Sequence, residues 1–168
     1  MRAYSVVALL LNPASQLTKA AERDLQQASA NLGLRAHAVY ASSDGELEQA
    51  FARMLELNAR ALLVTIDPFF TSRSERIAAL ALHRSVAAIY VYRPFVAAGG
   101  LMSYGASVTE TSEQAGTYVA RILRGEHPAD LPVLRATKVE LLINLKTAKA
   151  LRVDVPLSLL GRADEIIE

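Results

Sequence analysis

RALLVTIDPFFTSRSERIAALALHRSVAAIYVY, residues 60–92, is the stretch on which the fold turns. An apolar run (60–66) stops at Asp67, a helical stretch follows, and a second apolar run occupies 86–92. Both runs are nearly continuous in apolar character, as strands covered on two faces are. Between them, Ser72 with Glu75 three residues on reads as a capping box. Ile77, Leu80 and Ala81 then share the face such a helix buries. Strand, crossover helix and strand together make a parallel β-α-β unit.

The same rhythm extends toward the N-terminus. SVVALLL (5–11) and LRAHAVY (34–40) read as strands. A helix over 16–32 ends at Gly33, where glycine suits the left-handed position past a helix end. A second helix opens at Ser43 with Glu46 and turns Leu47, Ala50, Phe51, Met54 and Leu55 to one side. Four strands alternating with helices predict an α/β fold, three layers α-β-α around a mostly parallel sheet.

Beyond residue 95 the rhythm changes. AAGGLMSYGAS (97–107) is glycine-punctuated and holds at most one short strand. A helix over 111–124 is opened by Thr111 with Gln114 and closed by Gly125, and GEHPADLP (125–132) is a loop. KVELLINL (138–145) alternates as a late strand, KTAKAL (146–151) is a short helix, and PLSLLGRADEIIE (156–168) is helical to Leu160 and then a tail. The organisation is one domain over 1–168, with a core in 1–100, a linking segment with its helix in 101–132, and a closing segment in 133–168.

The 168 residues are 52% hydrophobic and 21% charged, a globular composition with enough chain for a proper core. A net charge of +1, with the basic residues scattered, speaks against nucleic-acid binding. The absence of cysteine removes disulfides, thiolate catalysis and the common structural zinc sites. The opening MRAYSVVALLLNP has one Arg and an apolar run. It stops at Asn12-Pro13 with no small-residue cleavage site, and reads as a first strand, not an export signal. It is also too short to span a bilayer, so no membrane insertion is expected.

In open parallel sheets ligands bind where loops leave the carboxyl ends of the strands. Those loops carry Asn12 to Ser15, Ala41 to Ser43, Asp67-Pro68-Phe69-Phe70 and Arg93-Pro94-Phe95, to which Ser103-Tyr104-Gly105 is added. An amide, hydroxyls, a carboxylate, a guanidinium and aromatic faces suit a small polar or zwitterionic molecule with an apolar part. Each piece also has an ordinary structural use. Asp-Pro starts turns, Phe69 and Phe70 can plug a core, Arg93 can be a solvated charge, and Tyr104-Gly105 can end a strand. Their shared place at one sheet edge is what favours the functional reading.

Catalytic signals are poor. His37, His83 and His127 lack metal-ligand spacing, and His83 suits a helix end. Neither a nucleophile elbow nor a phosphate loop nor a dinucleotide motif is present, and Asp67 has no visible acid–base partner. Neither a catalytic residue nor a metal nor a cofactor is expected.

ALLVTIDPFF, GGLMSYG, QAGTYVARILRGEHPADLPV and VELLINLKTAKAL together resemble the ABC transporter substrate-binding proteins of the tryptophan/tyrosine-binding-like family, over essentially the whole chain. The resemblance implies the type I periplasmic-binding architecture: two lobes closing on an amino acid or similar solute, with an ABC permease as partner. Members carry a further N-terminal lobe and an export signal ahead of the region matched here. The chain therefore resembles a second, ligand-binding lobe with its returning C-terminal segment. A periplasmic location is implied, although no export signal is read in the chain itself; taken as complete, the chain is expected in the cytoplasm.

Carried over, the ligand contacts are Asn12, Ser15, Asp67, Phe69, Tyr104 and Gly105. Placement at the sheet edge adds Phe70 and Arg93. The aromatic ring is expected to stack on the ligand's apolar part while Asp67 takes an ammonium or hydroxyl group. In the two-lobed architecture the helix at 111–124 packs on the first lobe. In this chain its apolar residues Ala115, Val119, Ile122 and Leu123 need another surface. A homodimer, or capture of a separate first lobe, is therefore the alternative function, with Val119 and Ile122 at the interface.

Overall fold

The computed structural model describes residues 6–134 and 138–168. Its strands are β1 (Val6–Leu11), β2 (Arg35–Tyr40), β3 (Ala61–Val64), β4 (Ala87–Tyr90), β5 (Met102–Ala106), β6 (Val139–Asn144) and β7 (Glu165–Ile167). They form one seven-stranded sheet in the order β2-β1-β3-β4-β5-β6-β7. Neighbours are parallel from β2 through β5, β6 runs antiparallel to β5, and β7 is parallel to β6. The mostly parallel α/β architecture expected from the sequence is therefore present.

The helices are α1 (Thr18–Leu32), α2 (Asp44–Glu56), α3 (Pro68–Thr71), α4 (Ser74–His83), α5 (Arg93–Ala97), α6 (Val108–Leu123), α7 (Leu145–Leu151) and α8 (Leu157–Leu160). None of those described is long and apolar enough to cross a membrane. Their ends follow from local chemistry. Gly33, at φ 65°, stops α1, and the next amide, of Leu34, reaches back to the Ser29 carbonyl at 2.8 Å. Ser43 caps α2 by accepting from the Glu46 amide, and the Glu46 carboxylate accepts from the Ser42 amide at 2.6 Å, a capping box reaching one residue further back than usual. Those Ser42 hydrogen bonds, to amide and hydroxyl, hold the Glu46 carboxyl below its ordinary value.

Five elements depart from the sequence reading. Asp67-Pro68 opens a helical turn, α3, and does not remain a loop: the Asp67 side chain caps it and proline occupies its first turn. Arg93-Pro94 similarly opens α5. The helix assigned to Ser72 starts instead at Ser74, with Arg73 at its cap and no side-chain cap bond. The helix assigned to Thr111 starts three residues earlier, at Val108, capped by Ser107. The C-terminal tail supplies β7.

One face of the sheet carries the main core. Ala8, Leu10, Leu62, Val64, Ala88 and Tyr90 meet Leu47, Phe51 and Met54 of α2, Ile77 of α4 and Phe95 of α5. Tyr90 stacks on Phe95 with ring centroids 4.6 Å apart. Burial pushes the Tyr90 hydroxyl pKa up, and that hydroxyl has no hydrogen-bond partner among the described residues.

The opposite face is only partly covered. Alternation puts Leu9 and Leu11 there, and both are buried beside α1, which packs on β1 and β2. Further along, Leu63 is 43% exposed and Tyr104 56%. The third layer is thus incomplete across β3 to β6. Helix α6 has no buried residue and no substantial packing partner among the described elements.

Candidate functional site

Two neighbouring strands, β1 and β3, end side by side and deliver Asn12 and Asp67 to the same edge. The Asn12 amide nitrogen Nδ2 donates to Asp67 Oδ1 at 3.0 Å, across 55 residues of sequence. The same Oδ1 accepts from the Phe69 backbone amide at 2.8 Å, which is the cap of α3. Asn12 Oδ1 accepts from the Ala14 amide at 3.0 Å and fixes the exit of β1. Ser15 is part of that same exit: its amide donates to the Asn12 carbonyl, and its hydroxyl accepts from the Leu17 amide. Asp67 is nearly buried, and its Oδ2 has no hydrogen-bond partner among the described residues.

The adjacent phenylalanines divide their labour. Phe70, expected to touch the ligand, is 0% exposed and belongs to the core, where the turn of α3 points it inward under the sheet edge. Phe69 is half-buried, edge-on to Phe70 at 5.6 Å, with the Arg73 guanidinium 4.0 Å above its ring. Arg73 is itself held by an ion pair with Asp44. Phe69 is therefore clamped on one side by a cation that orients it.

Thr71 connects this rim to a cavity of about 440 Å³, donating its hydroxyl to the Asp67 carbonyl at 3.0 Å while lining the cavity wall. Tyr92, Arg93, Ser103, Gly105, Thr109 and Glu140 complete most of the lining. The volume suits a small molecule. Arg93 stands at this cavity but is engaged: its guanidinium donates twice to the Glu165 carboxylate, at 2.5 and 2.8 Å. That pairing raises the Arg93 pKa above its ordinary value. Gly105 has a structural reason to be glycine, because an added Cβ would lie 2.3 Å from the Val91 carbonyl oxygen.

Tyr104 does not join the others. Strand alternation turns Ser103 and Gly105 toward the cavity and Tyr104 to the opposite sheet face, beside Met102 and Leu141. The residue expected to touch the ligand thus lies across the sheet from the cavity. Asn12, Ser15, Asp67 and Phe69 form one cluster, and Arg93 and Gly105 lie at the adjoining cavity. Sequence reasoning missed Tyr92, Thr109 and Glu140. The period-two pattern of β6 could have placed Glu140, which sits opposite Gly105 in register.

A parallel sheet with a polar rim and an adjoining cavity at its strand ends defines a binding fold of the kind used for small solutes. The chain belongs to the ABC transporter substrate binding protein family, whose model matches residues 4–167. No curated protein sequence matches it significantly.

Among solved structures, a conserved domain protein from Vibrio cholerae aligns with a TM-score of 0.84 at 23% identity, over 96% of this chain and 54% of that one. The ABC domain from Streptococcus pneumonia, in complex with L-Trp, aligns with a TM-score of 0.84 at 22% identity, over 96% and 55%. A ligand-free, open substrate binding protein with adhesive properties from Clostridium difficile aligns at 0.70 and 18%, over 96% and 54%. These likenesses show the fold, and the chain spans about half the length of each of those proteins.

Proposed function

We propose that the chain is a ligand-binding lobe of a solute-binding protein, taking an amino-acid-like molecule for an ABC permease without transforming it. The observation that carries this is the Asn12–Asp67 pairing at the ends of adjacent strands, with Phe69 clamped beside it. Asn12 and the Phe69 amide orient the Asp67 carboxylate and leave Oδ2 for a cationic donor. The free side of Phe69 offers apolar surface. L-Trp, the ligand of the Streptococcus pneumonia structure, combines an ammonium group with a flat aromatic body, and the rim suits that combination. Membership of the family makes the periplasm its expected compartment.

Isothermal titration calorimetry with aromatic and aliphatic amino acids tests the reading. Asp67→Asn keeps an oxygen to cap α3 but removes the charge, and should weaken binding about tenfold or more. Phe69→Ala should do the same for aromatic ligands and less for aliphatic ones. Equal affinity in the parent and both variants, or no binding of any amino acid at millimolar concentration, overturns it.

A second reading is favoured by α6. Its exposed apolar residues Val119 and Ile122 make it an interaction element, for a homodimer or a separate first lobe.

A further inference from the structure

We propose that Ser103, on the floor of the cavity, selects the solute by hydrogen-bonding a polar atom at the far end of an otherwise apolar side chain. The inference rests on the solute-binding reading of the Asn12–Asp67 rim and deepens it.

Burial separates the floor of this cavity from its mouth. Ser103 and Leu142 are 1% and 2% exposed, whereas Arg93, Pro94, Val108 and Thr109 of the same lining are exposed. Ser103 is in register with Leu142 of β6 on one side and with Tyr90 of β4 on the other, both buried. A hydroxyl is thus set between two largely apolar neighbours, on the sheet face that lines the cavity.

That hydroxyl has no hydrogen-bond partner among the described residues. Buried polar side chains in folded proteins nearly always have one. Where packing alone decides, alanine fills such a position without stranding a polar group. A serine on a cavity floor is instead explained by a partner that arrives with the occupant.

The charges around the cavity say what the occupant inserts. Arg93 is paired with Glu165, and Lys138 Nζ lies 3.3 Å from a Glu140 carboxylate oxygen. The ions of wall and mouth are engaged with one another, and the floor carries no charge. A charged group entering there would lose its hydration for nothing. A neutral, mostly apolar group fits, provided that it carries one hydrogen-bonding atom at its tip. A serine hydroxyl both donates and accepts, so a phenol hydroxyl, an indole N–H or an aliphatic hydroxyl qualifies.

Position ties the cavity to the rim. Thr71 lines the cavity and stands one helical turn beyond Asp67, to whose carbonyl its hydroxyl donates. A solute whose ammonium group meets Asp67 has its way into the cavity past Thr71, with Ser103 at the end. An occupant without a polar tip shuts the Ser103 hydroxyl off from water and returns nothing, which is how a buried hydroxyl discriminates.

L-Tyr and L-Phe differ only in that tip, and calorimetry on the pair is the test. The parent chain should bind L-Tyr about tenfold more tightly, and Ser103→Ala should bring the two within about twofold. Asp67→Asn should weaken both by one factor and leave their ratio intact. Differential scanning fluorimetry should give Ser103→Ala the parent midpoint or a higher one, so that a changed ratio is not a loss of fold. Equal affinity of the parent for L-Tyr and L-Phe, or a preference that survives Ser103→Ala, overturns the role of Ser103 and leaves the rim reading standing. If the parent binds neither, p-cresol and toluene, which lack the ammonium group, are titrated into the 15N-labelled chain. A preference for p-cresol that disappears in Ser103→Ala then upholds the cavity site without the rim, and no such preference overturns it. The amino-acid panel above judges the rim reading separately.

Discussion

Phe70→Ala should lower the thermal unfolding midpoint by roughly 6–20 °C, while Phe69→Ala, one residue away, lowers it by only a few degrees. Phe70 is fully enclosed by the core under the α3 turn. Removing a buried phenylalanine costs about 3–5 kcal/mol in lost transfer energy and residual cavity. For a domain of this size each kcal/mol moves the midpoint by about 2–4 °C. Phe69 loses its contact with the Arg73 guanidinium and part of its burial, about 1–2 kcal/mol in all. Binding should show the reverse order among folded protein, with Phe69→Ala affected more than Phe70→Ala. Differential scanning fluorimetry and calorimetry on the two variants check the division, and equal midpoints would sink it.

Gly105→Ala should be nearly as damaging, for a different reason. The new methyl group would sit 2.3 Å from the Val91 carbonyl oxygen and 2.7 Å from its Cγ1. The oxygen belongs to the backbone at the end of β4 and has nowhere to yield without parting β4 from β5. Overpacking of this kind costs about 3 kcal/mol, or roughly 6–12 °C in midpoint. Gly45→Ala is the control: a Cβ there meets nothing within 4 Å, and the residue lies in α2. It should be neutral or raise the midpoint slightly, by about 0.5–1 kcal/mol of helix propensity. A Gly105→Ala midpoint equal to that of the control would mean that the strand ends part without cost.

The sequence spoke most clearly where periodicity was long. Strands β1 to β4 are apolar runs, and α1, α2 and α6 are each 13 residues or longer with distinct start or stop signals. What it concealed was short or set by distant partners. α3 and α5 are four and five residues long, too brief for a periodic pattern, and their Asp-Pro and Arg-Pro openings are equally good turn signals. Strand β7 has three residues and exists through its pairing with β6 and through Glu165, whose partner Arg93 lies 72 residues earlier. The grouping of Tyr104 with Gly105 neglected strand alternation, which separates neighbours onto opposite faces. Placing Asn12 beside Asp67 needed only the rule that ligand loops gather at the carboxyl ends of parallel strands.

Helix α6, capped by Ser107 yet burying none of its residues, has a consequence for amide hydrogen exchange. A 16-residue helix without tertiary support is marginal in water, so its amides should open with free energies near zero. Those of β1 and β3 should open only with the whole domain. Whatever comes to rest against α6 must then first hold it in shape. Protection along Val108–Leu123 becomes a readout of occupancy, absent while α6 stands uncovered and acquired when another surface seats on it.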